Sequence, residues 1–305
     1  MTARRLALAA LVSLVAAVGA EGQVFRSGTD TVFLSVTVTD GKGNLVPGLE
    51  QDDFQVIEDG VPQTIAIFTR TAQPIALSIL MDSSTSMEPR LRTAQEAAAG
   101  FVRGLKELDV AQIIEFDSQV QVVQAFTHDR SLLQAAIRRT DAGGSTSLYN
   151  AVYVALSEQR KARPKDEAVI RRQAIVVLSD GDDTSSLVDY EQVLDLSKRS
   201  EVVVYAIGLR TPGENPQGRF SEADFVLRTL SEQTGGRVFF VEKIEQLEAI
   251  YQQIADELSN QYSIGYTPGN LRRDGAWRSI QVRVSEPGTV ARTRRGYFGP
   301  TGGGR

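Results

Sequence analysis

Short oxygen-bearing side chains collect at three places in this chain, each beside a run that reads as a strand or a helix. The first is Asp82-Ser83-Ser84-Thr85-Ser86, directly after an apolar stretch that ends at Met81. In extended geometry residues two apart point the same way, so Asp82, Ser84 and Ser86 can converge on one point. The second is Gly143-Gly144-Ser145-Thr146-Ser147, ahead of a helical pattern, and the third is Asp180-Gly181-Asp182-Asp183, after Leu178-Ser179. Together they offer two carboxylates and several neutral hydroxyls, with no nitrogen or sulfur. Such a set selects a hard divalent cation, Mg²⁺ or Mn²⁺. Ca²⁺ is less suited, because it prefers about 6–8 oxygens and usually more carboxylates. Hydroxyls are weak ligands, so a cation held by two anions stays electrophilic and can accept a partner's carboxylate at an open position. Recognition of that kind breaks no bond.

The elements that must position these loops are legible as a change of texture. From Pro74 a continuous apolar run, Ile75 to Met81, reads as a strand buried on both faces of a parallel sheet. Leu91, Ala94, Ala98, Phe101, Val102 and Leu105 then form one stripe at helical spacing. Strands at Val110–Phe116, Val120–Phe126, Ala174–Leu178, Val202–Ile207 and Val238–Val241 alternate with helices at Leu132–Arg138, Leu148–Glu158, Tyr190–Ser197, from about Ser221, and at Ile244–Leu258. This alternation predicts an α/β fold, a doubly wound, Rossmann-like, mostly parallel sheet flanked by helices. In such sheets ligands bind beyond the carboxyl ends of the strands at the switch point, where all three loops are expected to meet.

Both flanks have β texture. Val32, Leu34, Val36 and Val38 alternate with Phe33, Ser35, Thr37 and Thr39, and strands are expected at Phe54–Glu58 and Ile65–Thr69 with a turn over 58–62. Behind the α/β region, Ile280, Val282 and Val284 alternate with polar residues, between Tyr262–Tyr266 and Arg295–Phe298. The organisation expected is a signal peptide at 1–20, a β module at 24–72, the α/β domain at 74–258, a β segment at 260–298 and a tail at 299–305 that frays from Thr301. Neither β segment is large enough to fold alone without disulfides or metal. They are expected to pair into one small β layer or sandwich with the α/β domain inserted between them.

Arg4 and Arg5 precede an apolar run from Leu6 to Val18, and Val18-Gly19-Ala20 supplies small residues before Glu21. This is the pattern of an export leader. The other reading, a membrane anchor, asks about 20 apolar residues of a run that is shorter. Without Arg4 and Arg5 the chain holds 31 basic and 38 acidic residues, and no basic stripe suggests nucleic acid. Zero cysteines and a single histidine, His128, remove disulfides, thiolate nucleophiles, Fe–S clusters and ordinary structural zinc.

At the three loops the chain resembles a von Willebrand factor type A (VWA) domain with a metal-ion-dependent adhesion site. That family's signature is Asp-x-Ser-x-Ser, a distant Thr and a distant Asp. It matches Asp82-Ser83-Ser84-Thr85-Ser86, Thr146 ahead of Leu148-Tyr149-Asn150, and Asp180 in Leu178-Ser179-Asp180-Gly181. The resemblance covers roughly 74–258. It implies metal ligation by Asp82, Ser84, Ser86, Thr146 and Asp180, with Ser145 as the alternative to Thr146. It further implies a non-enzymatic protein whose partner is a protein ligand presenting an acidic side chain. The flanks, with Asp53-Phe54, Glu58-Asp59-Gly60, Gly265-Tyr266 and Gly296-Tyr297-Phe298, resemble the bacterial exported Acidobacterial-type VWFA-related proteins, which names a lineage and no activity.

Other readings compete. A phosphohydrolase would use Asp82 as nucleophile with Asp180 holding Mg²⁺, but haloacid-dehalogenase-like enzymes place a second Asp where Ser84 stands. A structural scaffold would use the metal only to hold loops. Asp182 and Asp183 read as solvated acids or a helix-capping pair. Asp180, Asp182, Thr184 and Glu191 imitate an EF-hand loop, with Ser185 where the sharp turn wants Gly. No G-x-G-x-x-G or Walker A motif follows any strand. His128 reads as an exposed turn residue, Trp277 as packing, and the loop Arg210–Arg219 as a surface loop or a specificity element.

Overall fold

The computed structural model describes residues 31–161, 171–210 and 221–302. The expected leader at 1–20 and nearly all of the loop Arg210–Arg219 lie outside them. At the front, β1 (Val32–Asp40), β2 (Phe54–Glu58), β3 (Val61–Gln63) and β4 (Ile65–Thr69) succeed one another. The turn expected over 58–62 is tighter than its composition suggests. Asp59 and Gly60 turn at φ 48° and 83°, and Val61 and Pro62 already pair with β2. Two central residues at positive φ give the twist that a two-residue hairpin needs.

The middle of the chain alternates. It runs β5 (Ile75–Asp82), α1 (Leu91–Arg103), β6 (Val110–Phe116), β7 (Val120–Thr127), α2 (Arg130–Ile137), α3 (Leu148–Lys161), β8 (Arg172–Ser179), α4 (Tyr190–Arg199), β9 (Val203–Leu209), α5 (Glu222–Thr234), β10 (Val238–Val241) and α6 (Leu247–Ser259). Its strands form one sheet in the order β10-β9-β8-β5-β6-β7, parallel except at its β7 edge. The connection from β6 to β7 is too short for a crossover, so that pair is antiparallel. Every residue of β5 is buried. Its odd-numbered side chains, Ile75 to Met81, pack with α1, α2 and α6, and Leu80 packs with α3, α4 and α5. This is the doubly wound α/β architecture, with the switch between β5 and β8.

Local signals start the helices where the loops need them. Asp129 caps α2, leaving His128 exposed beside it; Asp189 and Gln192 form a reciprocal cap on α4; and Ser221 caps α5. The helix α5 ends at Gly235, with φ 83°.

The rear strands are β11 (Tyr262–Tyr266), β12 (Trp277–Val284), β13 (Thr289–Arg292) and β14 (Gly296–Phe298). They interleave with the front strands in two antiparallel sheets, β13-β1-β11-β4 and β14-β12-β2-β3. Val32, Leu34, Val36, Phe54, Val56, Ile264 and Val282 fill the shared core. Trp277 is half-buried and meets Phe298 edge-on at 5.0 Å. The tail starts out tied down: Thr301 bridges Asp274, and the Gly302 N–H donates to the Arg273 carbonyl at 2.9 Å. The opposite face of β1 is not simply solvated, for Thr37 is buried and its hydroxyl accepts from Gln261.

Candidate metal centre

The two central strands β5 and β8 end side by side, so the loops after Met81 and Leu178 start next to each other. The Ser84 N–H donates to the Asp82 Oδ1 at 2.9 Å, and the Ser84 and Ser86 hydroxyls lie 3.1 Å apart. Ser86 donates to the Asp180 Oδ1 at 2.7 Å. Hydrogen bonds thus connect Asp82, Ser84, Ser86 and Asp180 in one chain. The middle loop is bonded to both neighbours. The Gly143 N–H donates to the Ser83 carbonyl at 2.7 Å, the Thr85 hydroxyl to the Gly144 carbonyl at 2.9 Å, and the Thr184 N–H to the Thr146 carbonyl at 2.8 Å. Thr146 is buried, and a methyl group built on Gly181, next to Asp180, would lie 3.8 Å from its hydroxyl. Ser145 is exposed.

Burial dominates the electrostatics. Asp82 is fully buried, which pushes its carboxyl above the usual carboxylate range; hydrogen bonds from Ser179 and Ser84 oppose that, and the nearby Asp180 charge adds to it. A cation between the two carboxylates would reverse both unfavourable contributions. The donor set fits a hard dication: all oxygen, two of them carboxylates, with hydroxyls of Ser84, Ser86 and Thr146 alongside. Among the described residues no group of three or more His, Cys, Asp or Glu side chains is arranged to hold a metal. The EF-hand-like spacing therefore makes no such cluster. Asp182 instead accepts from the Ala223 N–H at the start of α5 at 2.7 Å, and Asp183 from the Tyr149 N–H at the start of α3 at 3.1 Å. Both cap helices whose first turns border the site.

Two contacts escape sequence reasoning. Ser179 donates to the Asp82 Oδ2 at 2.5 Å, and Arg90 pairs with the Asp180 Oδ2 at 2.8 Å. Ser179 could have been found as the hydroxyl beside Asp180 at a strand end. Arg90 looks like any solvated charge ahead of a helix.

The model of the von Willebrand factor type A domain matches residues 77–253, more than half of the chain and the span that holds all three loops. The chain belongs to the von Willebrand factor type A domain family. VWA domains are generally interaction modules rather than enzymes; they commonly mediate protein–protein contacts and adhesion, and those with a metal-ion-dependent adhesion site bind divalent metals. Among solved structures, a von Willebrand factor type A protein from Catenulispora acidiphila is similar at a TM-score of 0.52 and 14% identity, covering 90% of this chain and 76% of its own. Proximal thread matrix protein 1 from the mussel byssus, in a structure with a zinc-occupied MIDAS motif, is similar at a TM-score of 0.51 and 15% identity over 66% of this chain and 49% of its own. An uncharacterized protein of Borreliella burgdorferi is 25% identical over 229 residues, 68% of this chain. The match spans 60% of the length of that relative. Among the described residues no helix is long and apolar enough to cross a membrane.

Proposed function

We propose that this VWA protein captures a protein partner through a divalent cation held by Asp82, Ser84, Ser86, Thr146 and Asp180, with an acidic side chain of the partner completing the shell. The observation that carries this is the fully buried Asp82, facing Asp180 across hydroxyls and, among the described residues, in no ion pair with an arginine. A buried carboxyl served only by hydroxyl and N–H donors gains most when a dication is added nearby. Mg²⁺ or Mn²⁺ suits the donors best, and the bound ion would supply one electrophilic position open to a ligand oxygen. The chain's own part is to hold five oxygens on three loops that are already hydrogen-bonded to one another. No proton transfer or bond cleavage is required of it. The Arg4-Arg5 and Leu6–Val18 pattern supports export, and the interleaved strands support an α/β domain over 74–258 inserted into a sandwich made from 24–72 and 260–298.

The test is calorimetric titration with Mg²⁺, Mn²⁺ and Zn²⁺, followed by binding to an immobilised glutamate-rich peptide with the metal or with a chelator. We expect one metal site and peptide capture that the chelator abolishes. The variant Asp82→Ala should lose metal binding at least a hundredfold while keeping its circular dichroism. Peptide capture unaffected by the chelator would overturn the reading, and metal-dependent hydrolysis of a generic phosphate ester would favour the enzyme instead.

A further inference from the structure

At the opposite end of the sheet from the metal loops, a cleft separates the start of β8 and β9 from the outer face of the sheet containing β1, β11 and β4. It has a volume of about 690 Å³, within the ~300–1,000 Å³ typical of small-molecule sites. Arg172 opens β8 and Ser179 closes it, which puts the cleft roughly 23 Å from the metal loops at ~3.3 Å per residue.

Strand register arranges the cleft wall in two rows. Phe33, Gly265 and Ile67 lie abreast on three adjacent strands, and Ser35, Ser263 and Thr69 lie abreast two residues away. Both rows point outward, because the residues between them fill the sandwich core. Phe33 and Ile67 are each 44% exposed. They close over Gly265 between them: a Cβ there would stand 3.1 Å from the Ile67 Cβ and 3.2 Å from the Phe33 ring, so the two side chains make one continuous apolar surface. The sheet therefore offers the cleft an apolar wall that leads into a row of hydroxyls.

A buried cation stands behind the hydroxyl row. Arg172 is 6% exposed; it donates to the Leu258 carbonyl at 3.0 Å, to the Gln261 carbonyl at 2.7 Å and to the Ser263 hydroxyl at 2.9 Å. Its Nε has no hydrogen-bond partner, and among the described residues no carboxylate forms an ion pair with it. Carbonyl oxygens satisfy its N–H groups without cancelling its charge. Because Ser263 accepts from Arg172, its own proton is free to donate into the cleft. Of the described charged residues that line the space, Arg171, Arg172, Lys198 and Arg294 are cationic and only Glu201 is anionic. Burial also lowers the Arg172 guanidinium to about 10, the mark of a charge short of compensation.

We propose that this cleft binds a small amphiphilic carboxylate, its head at the Ser263 hydroxyl and Arg172 and its apolar body against the Phe33 and Ile67 side chains. The apolar wall selects against small polar anions, and the uncompensated guanidinium selects against neutral amphiphiles. This site is independent of the metal centre and shares no residue with it.

The test uses the full chain and titrates it with decanoate below its aggregation limit, with decanol and acetate as comparisons. The expected result is saturable binding at one site, at least tenfold tighter than either comparison and unchanged by a chelator or by Asp82→Ala. Arg172→Met should weaken decanoate binding at least tenfold. Ile67→Glu should do the same; it sits at an exposed position where folding is not at stake, and it decides alone if the arginine variant does not fold. Decanoate binding no tighter than decanol, unsaturable binding, binding abolished by the chelator, or binding unaffected by Ile67→Glu would each overturn the proposal.

Discussion

The Asp180 carboxylate divides its oxygens between the Ser86 hydroxyl and the Arg90 guanidinium, so a cation arriving there meets another already in contact. The Asp180 side chain is 2% exposed and that of Arg90 21%, which leaves the pair only partly screened by water. Binding a dication must weaken this contact and place like charges close together. Arg90→Ala should therefore tighten Mn²⁺ binding by about tenfold, or ~1.4 kcal/mol, in calorimetric titration. A loss of affinity would mean instead that Arg90 holds Asp180 in position. Most of the candidate site was legible because Asp82, Ser84, Ser86 and Asp180 are short oxygen donors in loops after apolar strands, a placement with few other uses. Arg90 was not, because nothing in Glu88-Pro89-Arg90 distinguishes an inward arginine from a solvated one. The same holds for Arg172, whose position at the head of a strand says nothing of the carbonyls that will surround it.

Among the elements, the sheet β14-β12-β2-β3 contains a buried charge that the sequence pattern hides. Glu58 closes β2 at 2% exposure; it accepts from Tyr266 at 2.7 Å and from Tyr297 at 3.0 Å, and it lies 3.7 Å from the guanidinium of Arg278, which is also 2% exposed. Burial and the neighbouring Glu58 raise the Tyr266 hydroxyl well above its ordinary value, which keeps it a donor. Glu58→Ala would strand Arg278 in the interior. We expect a loss of about 3 kcal/mol in urea unfolding at neutral pH, with metal binding intact. From sequence, Glu58-Asp59-Gly60 reads as a polar turn, and that reading misses both the burial of Glu58 and the pairing of β3. Legible strands such as β2, β4, β5 and β11 have apolar spacing strong enough to override their neighbours. By contrast β13, with the sequence Thr-Val-Ala-Arg, is short and mixed, and owes its existence to the β1 edge beside it.

At the scale of the whole molecule, neither end of the chain builds a layer by itself. β1 lies between β11 and β13, and β2 between β12 and β3. A chain stopped after Ser259 would leave the front strands without most of their partners and with half a core. Hydrogen exchange on that variant should show protection lost throughout 32–69, because a segment this small cannot bury enough surface alone. Protection retained there would mean that the front piece folds independently. That the two flanks belong together was inferable from their size and texture; their register was not, because pairing across more than 200 residues leaves no local trace. The α/β body leaves the sandwich after Thr69 and returns to it at Tyr262, and Thr69 is paired with Ser263 on adjacent strands. Tension between a tethered sandwich and a ligand gripped at the far loops would thus draw β4 and β11 in one direction, and the ladder of β11 with β1 would resist it in shear. Beside those two connections Arg292 of the sandwich grips Glu257 and the Gly235 carbonyl, and Arg172 of the α/β body grips the Gln261 carbonyl, so a pull on the bound ligand is passed to the sandwich as through a clamp and not a free hinge.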